Sequence, residues 1–105
     1  MTISDRYRLI VADLEACQKH LALADENFSA ESKIIAEAEA QLHELLDQVG
    51  DIPRIRLETQ LSPILLKAHS QLDRARLLLE ERDQDAESDL VWDQQQAIYR
   101  LLNDL

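Results

Sequence analysis

The chain is 105 residues long, 46% hydrophobic, with one Gly, two Pro and a formal net charge of −10. That length allows one domain, residues 1–105, with a modest core, and so few turn-forming residues restrict it to few, short loops. Up to Gly50 there are ten acidic and four basic side chains, and beyond it eleven and seven; such an acidic chain repels phosphate backbones and anionic membrane surfaces, so we expect neither direct nucleic-acid binding nor membrane binding.

Leu, Ala, Glu and Gln are abundant, and all favour helices. The only aromatics are Tyr7, Phe28, Trp92 and Tyr99, so the core must be built mainly from Leu, Ile and Ala. Cys17 stands alone, which rules out an internal disulfide and suits a reducing compartment. The first residues show no cationic start followed by an apolar run, and no apolar run approaches the ~20 residues needed to span a bilayer. The expectation is a soluble, cytoplasmic protein.

The stretch from Ile3 to Val49 has neither Gly nor Pro. Thr2 or Ser4 can cap a helix there, with Asp5 in its first turn. Apolar residues recur at steps of four and three: Ile3, Tyr7, Ile10, Leu14, Cys17, Leu21, Ala24, Phe28. After an interruption at Glu31 the register resumes with Ile35, Ala38, Leu42, Leu45 and Val49. This 3.5-residue period belongs to helices packed as in a left-handed coiled coil. A second stripe, Leu9, Ala16, Leu23 and Ala30, repeats every seven residues on another face. It fits either a second neighbour within the subunit or a surface for another chain.

Polar residues cluster over Asp25–Ser32. A turn there could end one helix near Asp25 and start another near Ser29, since Asn27 and Ser29 are good N-caps. The unbroken register argues instead for one helix of about 46 residues, roughly 69 Å long. Usual helix lengths favour two helices; the register tips the balance to continuity.

Val49-Gly50-Asp51-Ile52-Pro53 is the clearest stop, with Gly50 read as a left-handed C′ residue and the main chain reversal placed there. A helix then starts near Pro53 or at Ser62-Pro63, or Pro63 kinks one helix that began earlier. Leu61, Leu65, Ala68, Leu72, Ala75 and Leu79 form its seam. The acidic run Glu80–Asp89 predicts a second reversal, with Ser88 or Asp89 capping a last helix that carries Val91, Ile98, Leu101 or Leu102, and Leu105. Trp92 and Tyr99, seven apart on it, suit either an interface or the end of the bundle.

Chemical motifs are missing. Di-iron bundles use Glu-x-x-His, but Cys17, Ala40 and Leu66 precede His20, His43 and His69 at that spacing. Cys17-x-x-His20 lacks a second pair to complete a tetrahedral site. Glu39–His43 and His69–Asp73 are pairs that any polar helix surface shows. Asp83, Asp85, Glu87 and Asp89 alternate as in a calcium loop, but Ser88 and Gln94 stand where an EF-hand needs Gly and Glu. We therefore expect no cofactor, no metal site and no catalytic residue.

The fold is read as all-α, either an antiparallel helical hairpin or an up-down bundle. A lone hairpin leaves its seam exposed, so pairing two hairpins into a homodimer is expected, burying the Leu9/Ala16/Leu23 stripe. The leading functional expectation is a non-enzymatic protein–protein interaction module with a protein partner, its contacts drawn from Leu9, Ala16, Leu23, Trp92 and Tyr99. One alternative is an acidic protein that mimics nucleic acid in a basic groove. Another is a small ligand-binding or enzymatic bundle.

Overall fold

Thr2 and Asp5 set the start of the first helix. The Asp5 amide donates to Thr2 Oγ1 at 3.1 Å and the Thr2 amide donates to Asp5 Oδ2 at 3.3 Å, closing a capping box. Hydrogen bonding from Thr2, its side chain first and then its backbone amide, holds the Asp5 carboxyl below its ordinary range. In the computed structural model, which describes residues 1–105, α1 then runs over Ile3–Ala24 with Tyr7, Ile10, Val11, Leu14, Cys17 and Leu21 buried. Burial pushes the Cys17 thiol up to about 11, so this cysteine is a packing residue with little reactive thiolate.

The helix does not continue through Asp25–Ser32. Asp25 is fully extended (φ −164°, ψ 139°), and its Oδ1 accepts the Asn27 amide at 2.9 Å. This side-chain turn competes with the helix and wins. A short 3-10 turn, Glu26–Phe28, leads into α2, Ser29–His43. The four residues Asp25–Phe28 stand in for about one helical turn, so the inward phase passes through the break and Phe28 is still buried. Periodicity alone is blind to such a turn. Ala24, placed on the seam by that periodicity, is exposed.

Helix α2 ends at His43, seven residues before Gly50, and the chain reverses over residues 44–53 through a 3-10 turn, Val49–Asp51. Gly50 does not adopt positive φ, so it is not the left-handed cap that the sequence suggested. The end of α2 is held from across the bundle, where the buried Tyr7 hydroxyl donates to the Leu42 carbonyl at 2.5 Å. Burial, reinforced by the Glu44 carboxylate, keeps that phenol well above its ordinary range. Tyr7→Phe removes this bond and nothing else, and is expected to lose about 1 kcal/mol in urea unfolding. A loss below a few tenths of a kcal/mol would mean that water already serves Leu42.

Helix α3 is a single element, Arg54–Glu81, with Pro63 inside it. Leu61, Leu65, Ala68, Leu72, Ala75 and Leu79 are buried as the seam predicts. It ends in a Schellman motif in which Gln84 N–H bonds Leu79 O at 3.0 Å and Asp83 N–H bonds Glu80 O at 3.1 Å. Asp83 holds the left-handed position with φ 59°, a conformation that Asp tolerates better than most side chains. Helix α4, Asp85–Asp104, starts before the expected cap. Ser88 is buried within its first turns and bonds Glu80 Oε1 at 3.3 Å.

Each helix packs on its sequence neighbours, α4 packs back on α1, and the diagonal pairs do not approach. This is an up-down four-helix bundle measuring 43 × 22 × 21 Å, with one cluster of 20 buried apolar residues. One chain supplies all four helices. The premise for joining two hairpins to complete a core therefore falls, and Leu9, Ala16 and Leu23 all stay exposed.

Candidate interaction surfaces

Once the core is closed, eight large apolar side chains other than Met1 remain exposed. Leu9 and Leu23 are on α1, Ile55, Leu66 and Leu77 on α3, and Leu90, Trp92 and Tyr99 on α4; α2 has none. Apart from Ile55, which sits in the first turn of α3, the exposed apolar residues belong to α4 and to its two neighbours, α1 and α3.

The α3–α4 face carries the larger share. Arg76 of α3 holds its guanidinium 5.3 Å from the Trp92 ring centre, which places Trp92 on the α3 side of α4. Tyr99 follows seven residues later on the same edge. On α3, Asp73 Oδ1 accepts from Gln95 of α4 at 3.2 Å, so Asp73 marks the edge facing α4. Leu66 and Leu77 lie seven before and four after it, on that same edge; Ile55, three further turns back, lies beyond the end of α4, because α3 and α4 run antiparallel with Asp73 level with Gln95. Of these, Trp92 and Tyr99 were singled out by their sequence spacing. Ile55, Leu66 and Leu77 were missed, although their regular spacing of eleven residues is a readable signal.

A polar network fixes this face from beneath. Arg76 donates from Nε to Gln95 Oε1 at 3.0 Å, from Nη1 to Glu80 at 2.7 Å and from Nη2 to Asp73 at 2.7 Å. Gln95 is only 1% exposed, so this is a satisfied polar contact inside the seam. The bonds from Arg76 and Gln95 hold the Asp73 carboxyl below its usual range. Arg76 is thereby pinned against the indole, where a cation–π contact is worth about 0.5–1 kcal/mol.

The α1–α4 face carries a groove of about 210 Å³, which Leu9 and Ile10 share with Ala97, Arg6, Asp13 and Arg100. Leu90 lies seven residues before Ala97 on the same edge of α4. Leu9, Ala16 and Leu23 thus lie on one face, and Trp92 and Tyr99 on the next; the five candidate residues form two surfaces.

Charge is also redistributed by folding. The two turns Ala24–Ser29 and Glu81–Asp85 meet at one end of the bundle, where Arg82 donates to the Asn27 carbonyl at 2.7 Å. Residues 22–33 and 79–91 hold nine acidic side chains against Lys33 and Arg82 alone, a formal −7 of the chain's −10. Each turn contributes from a different half of the sequence, so the chain order shows only part of this acidic pole.

The histidines lie apart. His43 Nδ1 is 3.4 Å from Glu39 Oε1 beside an open cleft of about 380 Å³ shared with Glu15 and Lys19. His20 is exposed and His69 half-buried. Asp83, Asp85, Glu87 and Asp89 are spread over the Schellman turn and the start of α4, and no three His, Cys, Asp or Glu side chains gather as a metal site. No helix is long and apolar enough to cross a membrane. Comparison with known protein families, with curated proteins and with solved structures finds no match to this chain.

Proposed function

We propose that this chain is a non-enzymatic interaction module, a small adaptor, chaperone or assembly factor, that receives an apolar partner helix on its α3–α4 face. The observation that carries this reading is the set Leu66, Leu77, Trp92 and Tyr99, left exposed on one face of a bundle whose core closes without them. Exposed apolar residues scattered singly are ordinary; several on one face, with a Trp and a Tyr among them, have the composition of an interface centre. The acidic pole at the end of the same face would steer a basic partner. The buried lone Cys17 suits a reducing cytoplasm.

The −7 pole favours a second reading, in which carboxylates imitate nucleic acid in a basic groove. The two readings separate by salt. Immobilised protein is expected to capture a specific partner from cell extract at both 0.15 and 0.5 M salt, between which the screening length falls from about 8 to about 4 Å. The paired Leu66→Glu and Tyr99→Glu variant, still helical by circular dichroism, is expected to lose that partner. Capture that vanishes at 0.5 M salt but survives the double substitution would replace the apolar reading with charge mimicry.

A further inference from the structure

We propose that the α1–α4 face joins two copies of this chain, antiparallel, about a two-fold axis that passes beside Ala16. The inference rests on the reading of this protein as an interaction module, but it uses the other exposed face, so each can fail without the other.

The stripe on α1 is symmetric about its middle. Leu9 and Leu23 lie two turns either side of Ala16, in a row about 21 Å long. A two-fold axis at Ala16 sets Leu9 of each copy against Leu23 of the other and the two Ala16 residues against each other. Exposed Ala12 and Ala16 leave room there for close backbone approach, while the leucines fill the ends. Such self-complementarity is what an isologous interface requires. The second row, Ala97 and Leu90 on α4, runs beside the first and makes the face two helices wide. The long flank of a 43 × 22 Å molecule can accommodate the roughly 800 Å² per partner of a stable interface.

Charge selects both the occupant and its direction. At the Leu9 end the groove holds Arg6, paired with Asp104, and Arg100, which makes no ion pair within the chain, against Asp13 alone; beyond Leu23 stand Asp25 and Glu26, which make none either. An antiparallel pair brings each copy's arginines towards the other's acidic end. A parallel pair would set two −7 poles side by side, and like charges so placed oppose association.

Light scattering over a concentration series is expected to give twice the 12.1 kDa chain mass. The paired Leu9→Glu and Leu23→Glu variant is expected to elute as a monomer with unchanged helical content and melting temperature. The Leu66→Glu/Tyr99→Glu variant is expected to stay dimeric, which separates this face from the proposed partner face. In a Cys17→Ala background, Ala16→Cys is expected to form a disulfide with itself, whereas Leu9→Cys and Leu23→Cys cross-link only when mixed. A wild type that remains monomeric at the highest concentration overturns the dimer and leaves the α3–α4 reading to its own capture test. A dimer that survives the Leu9/Leu23 substitutions, or a Leu9→Cys protein that cross-links with itself, overturns the face or the direction.

Discussion

Replacing Arg82 with alanine is expected to lower stability by about 3 kcal/mol, the lower end of the effect of breaking a buried ion pair. For a chain of this size that is a fall of roughly 10–20 °C in melting temperature. The reason lies with its partner. Glu31 is 3% exposed, and its Oε1 accepts from Arg82 Nη2 while its Oε2 has no hydrogen-bond partner. Without Arg82, a carboxylate inside the bundle keeps its desolvation penalty and loses its counter-charge. Arg82 also donates to the Asn27 carbonyl and lies 5.4 Å from the Phe28 ring centre, so the same truncation unclasps α3 from the α1–α2 turn. The lower end applies because the Arg82 side chain is 38% exposed and water can reach the site. Urea unfolding of Arg82→Ala, Glu31→Leu and their combination measures the coupling. The double variant is expected to recover much of the loss, because removing both charges leaves nothing buried and unpaired. A loss under about 1 kcal/mol for Arg82→Ala alone would show that water carries the Glu31 charge.

Glu31 also marks where sequence reasoning stops. In the sequence it looks like a gap in an apolar seam. In the fold it holds a seam position, made tolerable by an arginine 51 residues away. Gln95 behaves in the same way, buried between Val91 and Ile98 because Arg76 and Asp73 satisfy it. The seam itself was legible: the apolar positions spaced by four and three are, with few exceptions, the buried ones. What periodicity does not encode is how the chain ends a helix without losing phase, as at Asp25, or which partner comes from the far side. The apolar candidates on α1 and α4 were visible as heptad spacings, yet their separation onto two faces follows only from how α4 is shared. The acidic pole was legible only in part: the run Glu80–Asp89 supplies six of its nine carboxylates, and the other three come from a distant turn that folding brings beside it.

Pro63 is the second case in which packing overrides a local signal, and replacing it with alanine is expected to raise stability by about 2 kcal/mol. Ser62-Pro63 has the chemistry of a helix start, yet α3 passes through it unbroken from Arg54. Proline inside a helix lacks the amide that would bond the carbonyl four residues back, here Thr59, and is about 3 kcal/mol less favourable than alanine there. Its ring also restricts the unfolded chain, and losing that restriction returns about 0.4–1 kcal/mol. The side chain is exposed, so alanine leaves no cavity in the core. What holds the strained turn is burial on either side: Leu61 and Leu65 are fully buried, and Leu57 and Ile64 pack against the same cluster. Breaking the helix at Ser62 would pull one of these groups out of register, and burying a single Leu is worth about 1.5–3 kcal/mol. Several such side chains outweigh one proline. The measurement is the urea midpoint of Pro63→Ala, expected to rise with an unchanged m-value. If the midpoint does not rise, the Pro63 ring must itself help to seat α3 against α2, where Pro63 and Ile64 face Gln41 across a shallow cleft. The proline would then belong to the packing that its missing amide opposes.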